Sequence, residues 1–115
     1  MKFRDLYLDN SDSSRKVFEF LVEVLSTSGK PVQTGQSIDS HPCYYIVQPE
    51  ELLLKVTQNQ ETPAGGAIQI RIQPYNLPDP DDQVALLREI SEKLIHHIEQ
   101  HAPAWRYYLS DIQES

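Results

Sequence analysis

The sequence predicts an α+β fold, a two-layer sandwich in which two main helices pack on one face of an antiparallel sheet of four or five strands. Apolar residues recur with helical spacing in two separate segments, and they alternate with a period near two in the segment between them. The links within the alternating segment are short, as in antiparallel hairpins. We therefore expect a single domain over residues 1–115, with a short additional helix near its C-terminal end.

The segment from Asp79 to His101 carries the strongest helix signals. Asp79 precedes Pro80, which is the order of an N-cap residue and a proline at the first helical position. Asp81 and Asp82 add carboxylates where the helix dipole is positive, and histidines occupy the last turns, where it is negative. Apolar side chains recur along one face of the segment. We predict a long helix that packs on the sheet.

The strands are predicted from alternation and from the turn residues between them. Five segments alternate as strands do: 2–8, 30–38, 43–48, 51–58 and 67–73. The last of these has the clearest pattern, AIQIRIQ, with isoleucines on one face and polar residues on the other. One face of the sheet is therefore expected to be apolar and the other mixed.

Two further segments have helical spacing. The first begins within residues 10–13, which are all good N-cap residues, and Gly29 supplies its C-terminal stop. Phe20 and Val22 lie off its main apolar stripe, so either a second layer covers this flank or the flank is a contact surface. The second segment covers residues 104–112, where apolar residues recur at i, i+3, i+4 and i+7. We predict a short helix there.

Composition and charge argue against several classes of protein. The 10 basic and 17 acidic residues give a net charge of -7, which opposes binding to DNA, RNA and anionic membranes because each phosphate contact depends on Lys or Arg. Cys43 is the only cysteine, and the first residues lack the apolar run of a signal peptide. No segment approaches the ~20 apolar residues of a membrane span. We expect a cytoplasmic protein.

The mixed face of the sheet is the predicted binding surface. It combines aromatic, aliphatic and cationic side chains, and its expected members are Tyr44, Ile46, Leu53, Lys55, Gln69 and Arg71. Tyr and Arg are enriched at the energetic centres of protein interfaces, so this composition suits the binding of an extended or helical peptide. The alternative is that the helix expected over residues 104–112 covers the same face, and then no groove remains.

The sequence contains no catalytic motif. His41 and Cys43 lie two residues apart, and in a strand side chains at that spacing are about 7 Å apart, longer than the hydrogen bond between a nucleophile and its base. Gly65 and Gly66 lack the lysine and the following helix of a phosphate-binding loop. We therefore expect no enzyme activity and no cofactor, while an active site whose residues converge only in three dimensions stays open.

The leading hypothesis is a non-catalytic adaptor or chaperone-like protein that binds another protein or peptide, alone or as a homodimer. Surplus aromatic and aliphatic residues outside the predicted core support it, and Phe20 is a further candidate contact residue. The acidic charge, the leading helix, the antiparallel strands and the sequence LPDPDDQ before the long helix resemble small secretion-chaperone folds. The resemblance implies binding of a partner protein as a dimer without chemistry, and it assigns no residues.

The histidines of the long helix support an alternative, a domain that binds a metal or a small ligand. His97 and His101 are four residues apart, so both imidazoles can face one ion from one side of a helix. A structural zinc needs four protein ligands and a catalytic zinc three, and no HExxH motif or pair of cysteines supplies the remainder. Capping or partial burial is the competing interpretation of these histidines.

Overall fold

A computed structural model of the chain describes residues 1–9, 13–37, 43–48, 51–58 and 68–114. Its elements, in chain order, are β1 (Lys2–Asp9), α1 (Ser14–Ser26), β2 (Gln33–Ser37), β3 (Cys43–Gln48), β4 (Leu52–Gln58), β5 (Ile68–Pro74), α2 (Pro80–His101), β6 (Arg106–Leu109) and β7 (Gln113–Glu114). None of the described helices is long and apolar enough to cross a membrane.

The described strands form one antiparallel sheet in the order β2-β3-β4-β5-β1-β6, with β7 paired to the start of β1. The α+β class and the two-layer sandwich are confirmed. The sheet has seven strands in the described residues rather than four or five, because the C-terminal segment contributes two. The first strand of the chain is an inner strand, since β1 lies between β5 and β6.

Both helices pack on the same face of the sheet and bury its aliphatic side chains. Alternate residues of the inner strands are fully buried there, as Leu6, Leu54 and Ile70 are. The helices contribute their own apolar stripes, which include Leu21 and Leu87. Burial of each such side chain stabilises the fold by roughly 1.5–3 kcal/mol. The core therefore lies between the helix layer and one face of the sheet.

Helix α1 is capped at both ends by polar groups. The Ser13 hydroxyl accepts a hydrogen bond from the backbone N–H of Lys16. At the other end, the Gln48 side-chain amide donates to the Leu25 carbonyl at 3.3 Å. Gly29 follows with a φ of 77°, a conformation that favours glycine. The predicted stop at this glycine agrees with the structure, and Gln48 ties the end of the helix to β3.

Helix α2 begins as its sequence signals predict. The Asp79 carboxylate accepts from the Asp81 N–H at 2.8 Å, and Pro80 is the first helical residue. Gln83 is buried within the first turn, where its side chain accepts from the Lys2 N–H and donates to a loop carbonyl. These bonds attach the start of α2 to the start of β1, and the long helix packs on β1 and β5.

The helix predicted over residues 104–112 is wrong. This segment instead forms β6, whose register places Tyr108 opposite Tyr7, and it continues toward β7. Tyr and Leu fit a pleated edge strand well, while a helix of this length gains little from propensity alone. Pairing with the otherwise open edge of β1 satisfies backbone groups that a helix would leave unpaired there. Tertiary pairing therefore overrides the helical spacing.

Candidate functional site

The open face is the side of the sheet turned away from the two helices. The strand registers place its central residues in two cross-strand rows: Tyr45, Lys55, Arg71 and Asp5 in one, and Cys43, Thr57, Gln69, Tyr7 and Tyr108 in the other. Among the described elements, α1 and α2 both pack on the opposite face. The C-terminal segment extends the open face at its edge through β6 and does not lie across it.

Four of the residues expected on the mixed face, Leu53, Lys55, Gln69 and Arg71, lie on the open face, and each is partly buried. The placement of Tyr44 and Ile46 there is wrong. Ile46 is fully buried opposite Leu54 in the core, and Tyr44 stacks on Phe18 of α1 with ring centroids 4.8 Å apart.

The face of β3 was misassigned because Gln48, a polar residue in phase with Tyr44 and Ile46, points inward. It is buried, and its amide donates to Leu25 and Ser28 at the end of α1. A polar residue in that phase is typical of the solvent-facing side of a strand. The two faces of CYYIVQ are otherwise similarly apolar, so the rest of the strand does not correct this interpretation. Tyr45 and Val47 therefore take the places on the open face that were expected for Tyr44 and Ile46.

An ion pair between Asp5 and Arg71 forms the centre of the open face. Arg71 donates from Nε to one carboxylate oxygen at 2.9 Å and from a terminal nitrogen to the other at 3.1 Å. The Asp5 side chain is 3% exposed and that of Arg71 38%. These hydrogen bonds raise the pKa of Arg71. The bidentate geometry holds the guanidinium in one orientation while leaving part of it accessible.

Lys55 lies directly opposite Arg71 in the neighbouring strand. Strands β2, β3, β4 and β5 carry only these two charged residues, and both are cations. Arg71 has Asp5 as its counter-charge, whereas Lys55 forms no ion pair with any residue that the structure describes. Among the described residues, the centre of the open face therefore has one cation without a matching acid.

Aromatic rings share the open face with these two cations. The Arg71 guanidinium lies 4.4 Å from the centre of the Phe3 ring, a cation–π distance. Tyr7 and Tyr108 are neighbours across β1 and β6, with ring centroids 6.0 Å apart. Burial, together with the charge of Asp5, raises the pKa of Tyr7, so its phenol stays protonated. The face offers flat apolar surface beside fixed positive charge.

Sequence reasoning missed Asp5 and the aromatic residues of β1. In the segment KFRDLYL, Phe3, Asp5 and Tyr7 are in phase with each other and out of phase with Leu6 and Leu8. That alternation is the signal that could have found them, because it separates the core-facing leucines from the residues of the other face. The pairing of β1 with β5, which brings Asp5 to Arg71, has no such local signal.

The flank of α1 that carries Phe20 is partly covered by the C-terminal segment. The Trp105 ring meets Phe20 edge-on, with centroids 5.1 Å apart. Both residues, with Val22, pack against the margin of the core. Of the two interpretations of this flank, partial cover by a second layer is the one that the contacts favour, and Phe20 is half-buried rather than an open contact residue.

His97 and His101 lie together at the inter-helix cavity, which is lined by Phe20, Glu23, Val24, Thr27, His97 and His101 and has a volume of about 430 Å³. Their rings stack with centroids 5.8 Å apart. Desolvation lowers the pKa of His97, and the neighbouring charges of His101, His96 and Lys93 act in the same direction. Within the described residues, no group of three His, Cys, Asp or Glu side chains could hold a metal ion.

No protein-family model matches the sequence, and no curated protein is significantly similar to it. Among solved structures, the chain is similar to the crystal structure of the adenosylmethionine decarboxylase from Aquifex aeolicus VF5, with a TM-score of 0.39 and 8% identity over 100% of this chain and 95% of that chain. A likeness of this degree identifies no activity. The function therefore has to be inferred from the side chains of the chain itself.

Proposed function

We propose that the protein is a non-catalytic adaptor or chaperone-like protein that binds an acidic polypeptide segment on the open face. The observation that supports this function most is the position of Lys55 opposite Arg71, with Asp5 as the counter-charge of Arg71 alone. An anionic side chain of a partner would neutralise the excess cation. The same partner would bury exposed aromatic surface on this face, such as the Tyr108 ring.

The pair of neighbouring cations has an energetic cost in the free protein. Like charges directly opposite each other in a sheet are destabilising, by an amount on the order of 0.2–1 kcal/mol. Asp5 offsets this for Arg71 through two hydrogen bonds, but Lys55 has no such partner among the described residues. Departures from locally favourable pairing are expected at functional positions, because a bound partner can supply the missing interaction.

Binding to the open face should cost little side-chain conformational entropy. Arg71 is held by Asp5 on one side and by the Phe3 ring on the other, so little side-chain freedom remains to be lost when a partner binds. Tyrosine rings at Tyr7, Tyr45 and Tyr108 add rigid contact area of the kind found at interface centres. An extended peptide or a helix could lie across the strands and contact these rings.

The distribution of charge favours one orientation of an acidic partner. Helix α2 carries five acidic residues and two basic ones, whereas strands β2 to β5 carry only cations. An acidic segment is therefore repelled by the helix layer and attracted to the open face. A cytoplasmic location fits this proposal, because Cys43 is buried as a free thiol.

Binding of a defined acidic peptide tests the proposal. Fluorescence anisotropy of a labelled peptide of repeating Glu-Tyr units should show binding to the wild-type protein at low salt, weakening as salt screens the contact. The Lys55→Glu variant should bind at least about tenfold more weakly, since it replaces an attraction by a repulsion. Amide chemical shifts should change at Tyr45, Lys55 and Arg71 and not on the helices.

Lys16→Glu is the matched control, because it makes the same change of charge at an exposed site on α1, in the helix layer. It should leave binding unchanged. No binding by the wild type, equal binding by Lys55→Glu, or a loss confined to Lys16→Glu would each overturn the assignment to the open face. The last result would move the site to the α1 flank that carries Phe20.

The inter-helix cavity supports a second candidate function, the binding of a small ligand. Its volume of about 430 Å³ is within the roughly 300–1,000 Å³ of ligand pockets. Phe20 supplies an apolar wall, and His97 with Glu23 supplies polar groups that could orient a ligand. Ligand-observed NMR with a fragment library tests it: hits lost in His97→Ala but kept in Lys55→Glu support the cavity, and the absence of hits removes it.

A further inference from the structure

The inter-helix cavity adjoins a groove that reaches Trp105, and we propose that the two together bind a protonated primary amine with an apolar body. The groove has a volume of about 540 Å³. Phe20, Glu23 and His101 line both spaces, so the cavity and the groove form one cleft. This inference rests on the second candidate function, the binding of a small ligand in the cavity, and it names the class of that ligand.

Glu23 places a negative charge where the cavity meets the groove. Its carboxylate forms no ion pair or hydrogen bond with any residue that the structure describes. One turn earlier on α1, Glu19 has Arg15 as its partner at 3.3 Å. Lys16 lies two turns before Glu23, about 10 Å along the helix axis, and the two do not pair. Within the described residues, the Glu23 carboxylate is therefore available to a cationic ligand.

The other polar side chains of the cavity offer hydrogen-bond acceptors. The Thr27 hydroxyl donates its one proton to the Val24 carbonyl at 2.6 Å, so its lone pairs are what it offers to a ligand. Desolvation is the largest cause that lowers the pKa of His97, and its imidazole at neutral pH is therefore neutral, with one acceptor nitrogen. A primary ammonium group carries three N–H donors and no acceptor. It matches the set formed by Glu23, Thr27 and His97.

The same lining argues against an anionic ligand. Among the described residues, the inter-helix cavity is lined by no lysine and no arginine. Lys16 lines the groove, but Phe20 lies between Lys16 and Glu23 along α1. A carboxylate or a phosphate in the cavity would meet the charge of Glu23 without a lysine or an arginine beside it, and like charges at such short range repel. The charge of the cavity therefore selects a cation.

Phe20 and Trp105 provide the apolar wall of the cleft. Their rings meet edge-on with centroids 5.1 Å apart, and both side chains are half-buried. Phe20 and Glu23 are three residues apart on α1, so they lie on the same face of the helix. An ammonium group at Glu23 therefore has the Phe20 ring beside it, and cation–π attraction adds to the ion pair. The apolar body of the ligand lies along the groove toward Trp105.

Three probes that share one ring and one chain length test the charge of the head group. Phenethylamine is protonated at neutral pH, phenethyl alcohol is neutral and hydrocinnamate is an anion. In an NMR titration of the full chain, the amide signals of Glu23, Thr27 and His97 should shift with phenethylamine. Its dissociation constant should be about tenfold lower than that of the alcohol, the gain expected from one charge-assisted hydrogen bond. Hydrocinnamate should bind most weakly.

The three probes also separate this inference from the ligand site on which it rests. Equal binding of all three, or tightest binding of hydrocinnamate, overturns the assignment to an amine but leaves a ligand site in the cavity. No binding of any probe overturns the assignment as well. In that case, hits from the fragment library that are lost in His97→Ala would still support the second candidate function.

Neutralisation of Glu23 tests whether its carboxylate binds the ammonium group. Glu23→Gln keeps the shape of the side chain and should raise the dissociation constant of phenethylamine about tenfold, while that of phenethyl alcohol stays the same. Glu89→Gln is the matched control, because it makes the same change at an exposed site of α2 that lines neither the cavity nor the groove. It should leave both constants unchanged. An equal effect of the two substitutions would mean that the amine responds to the net charge of -7 rather than to this cleft, and it overturns the proposal.

Fluorescence tests the position of the apolar body. Trp105 is the only tryptophan of the chain, so its emission reports on the groove. Phenethylamine should change this emission with the same dissociation constant as the amide shifts of the cavity. Circular dichroism confirms that Glu23→Gln and Glu89→Gln are folded. Emission that stays constant while the amide shifts reach saturation would place the ligand outside the groove, and that result also overturns the proposal.

Discussion

The two faces of the sheet are made by alternate residues of the same strands, but they differ in composition, burial and charge. The covered face is aliphatic and almost completely buried, with Gln48 as the buried polar side chain that ties it to α1. The open face carries cations, tyrosines and a buried aspartate, and most of its residues are only partly buried. One face therefore stabilises the fold, while the other is partly exposed in the described residues and carries the surface that we propose binds a partner.

The largest expected difference between the faces is in stability. Leu54 and Leu53 are neighbours in β4, with Leu54 fully buried in the core and Leu53 partly exposed on the open face. Leu54→Ala should lower the free energy of unfolding by about 2–5 kcal/mol, since it leaves a cavity among packed side chains. Leu53→Ala should cost about 1 kcal/mol or less. Urea denaturation of the two variants measures both, and equal losses would contradict the comparison.

The ion pair is where the open face should contribute most to stability. Arg71→Ala leaves the buried Asp5 carboxylate without its partner, which is costly for a buried charge. Because Arg71 is 38% exposed, water replaces part of the lost interaction, and we expect a loss of about 2 kcal/mol. Lys55→Ala, one strand away, should change stability by no more than about 0.5 kcal/mol. Thermal or urea unfolding at neutral pH compares them.

Substitution of Gln48 tests whether a buried polar side chain on the covered face contributes to the stability of the fold. Gln48→Ala removes hydrogen bonds to the Leu25 carbonyl and the Ser28 hydroxyl, and it should cost about 1 kcal/mol. The amides near the end of α1 should then exchange faster. Gln73→Ala on the open face is the matched control and should have almost no effect. A larger loss for Gln73→Ala would mean that the open face is the more tightly packed of the two.

The smallest expected effect is the contribution of His97, in the helix layer, to the pH dependence of the protein's stability. Its pKa is lower in the folded protein than in the unfolded chain, so the unfolded state binds more protons as the pH falls below about 6.5. Stability should therefore decrease with falling pH from about 6.5 through the folded pKa. Melting temperatures of wild type and His97→Gln across this range measure the contribution, which should be smaller in the variant. Parallel curves would contradict it.

The agreement between sequence and structure is closest where local pattern and tertiary environment coincide. The strand at residues 43–48 has the predicted bounds, and α2 begins at Pro80, next to the aspartate identified as its cap. The helix predicted for the C-terminal segment was wrong because pairing with β1 overrides the helical spacing of its apolar residues. This pairing joins residues about one hundred positions apart in the sequence. Local periodicity carries no information about such distant partners.

The candidate site shows the same limit. Lys55 and Arg71 could be placed on the mixed face from alternation within their own strands. The face of Tyr44 and Ile46 could not be predicted in this way. Gln48, which is in phase with them, points into the core and donates a hydrogen bond to the Leu25 carbonyl of α1, and the alternation of β3 does not reveal that contact. Alternation within β1 could place Asp5 on the open face, but its pairing with Arg71 depends on the register of β1 against β5.

The position of β1 inside the sheet has a consequence for the order in which the chain folds. This strand precedes the other described elements in the sequence, but its partners β5, β6 and β7 all come from the second half of the chain. During synthesis, strands β2, β3 and β4 can pair with each other before the partners of β1 have been made. Contacts of such long sequence separation slow folding, and we expect the exposed β1 to be the segment that most needs protection from aggregation during synthesis.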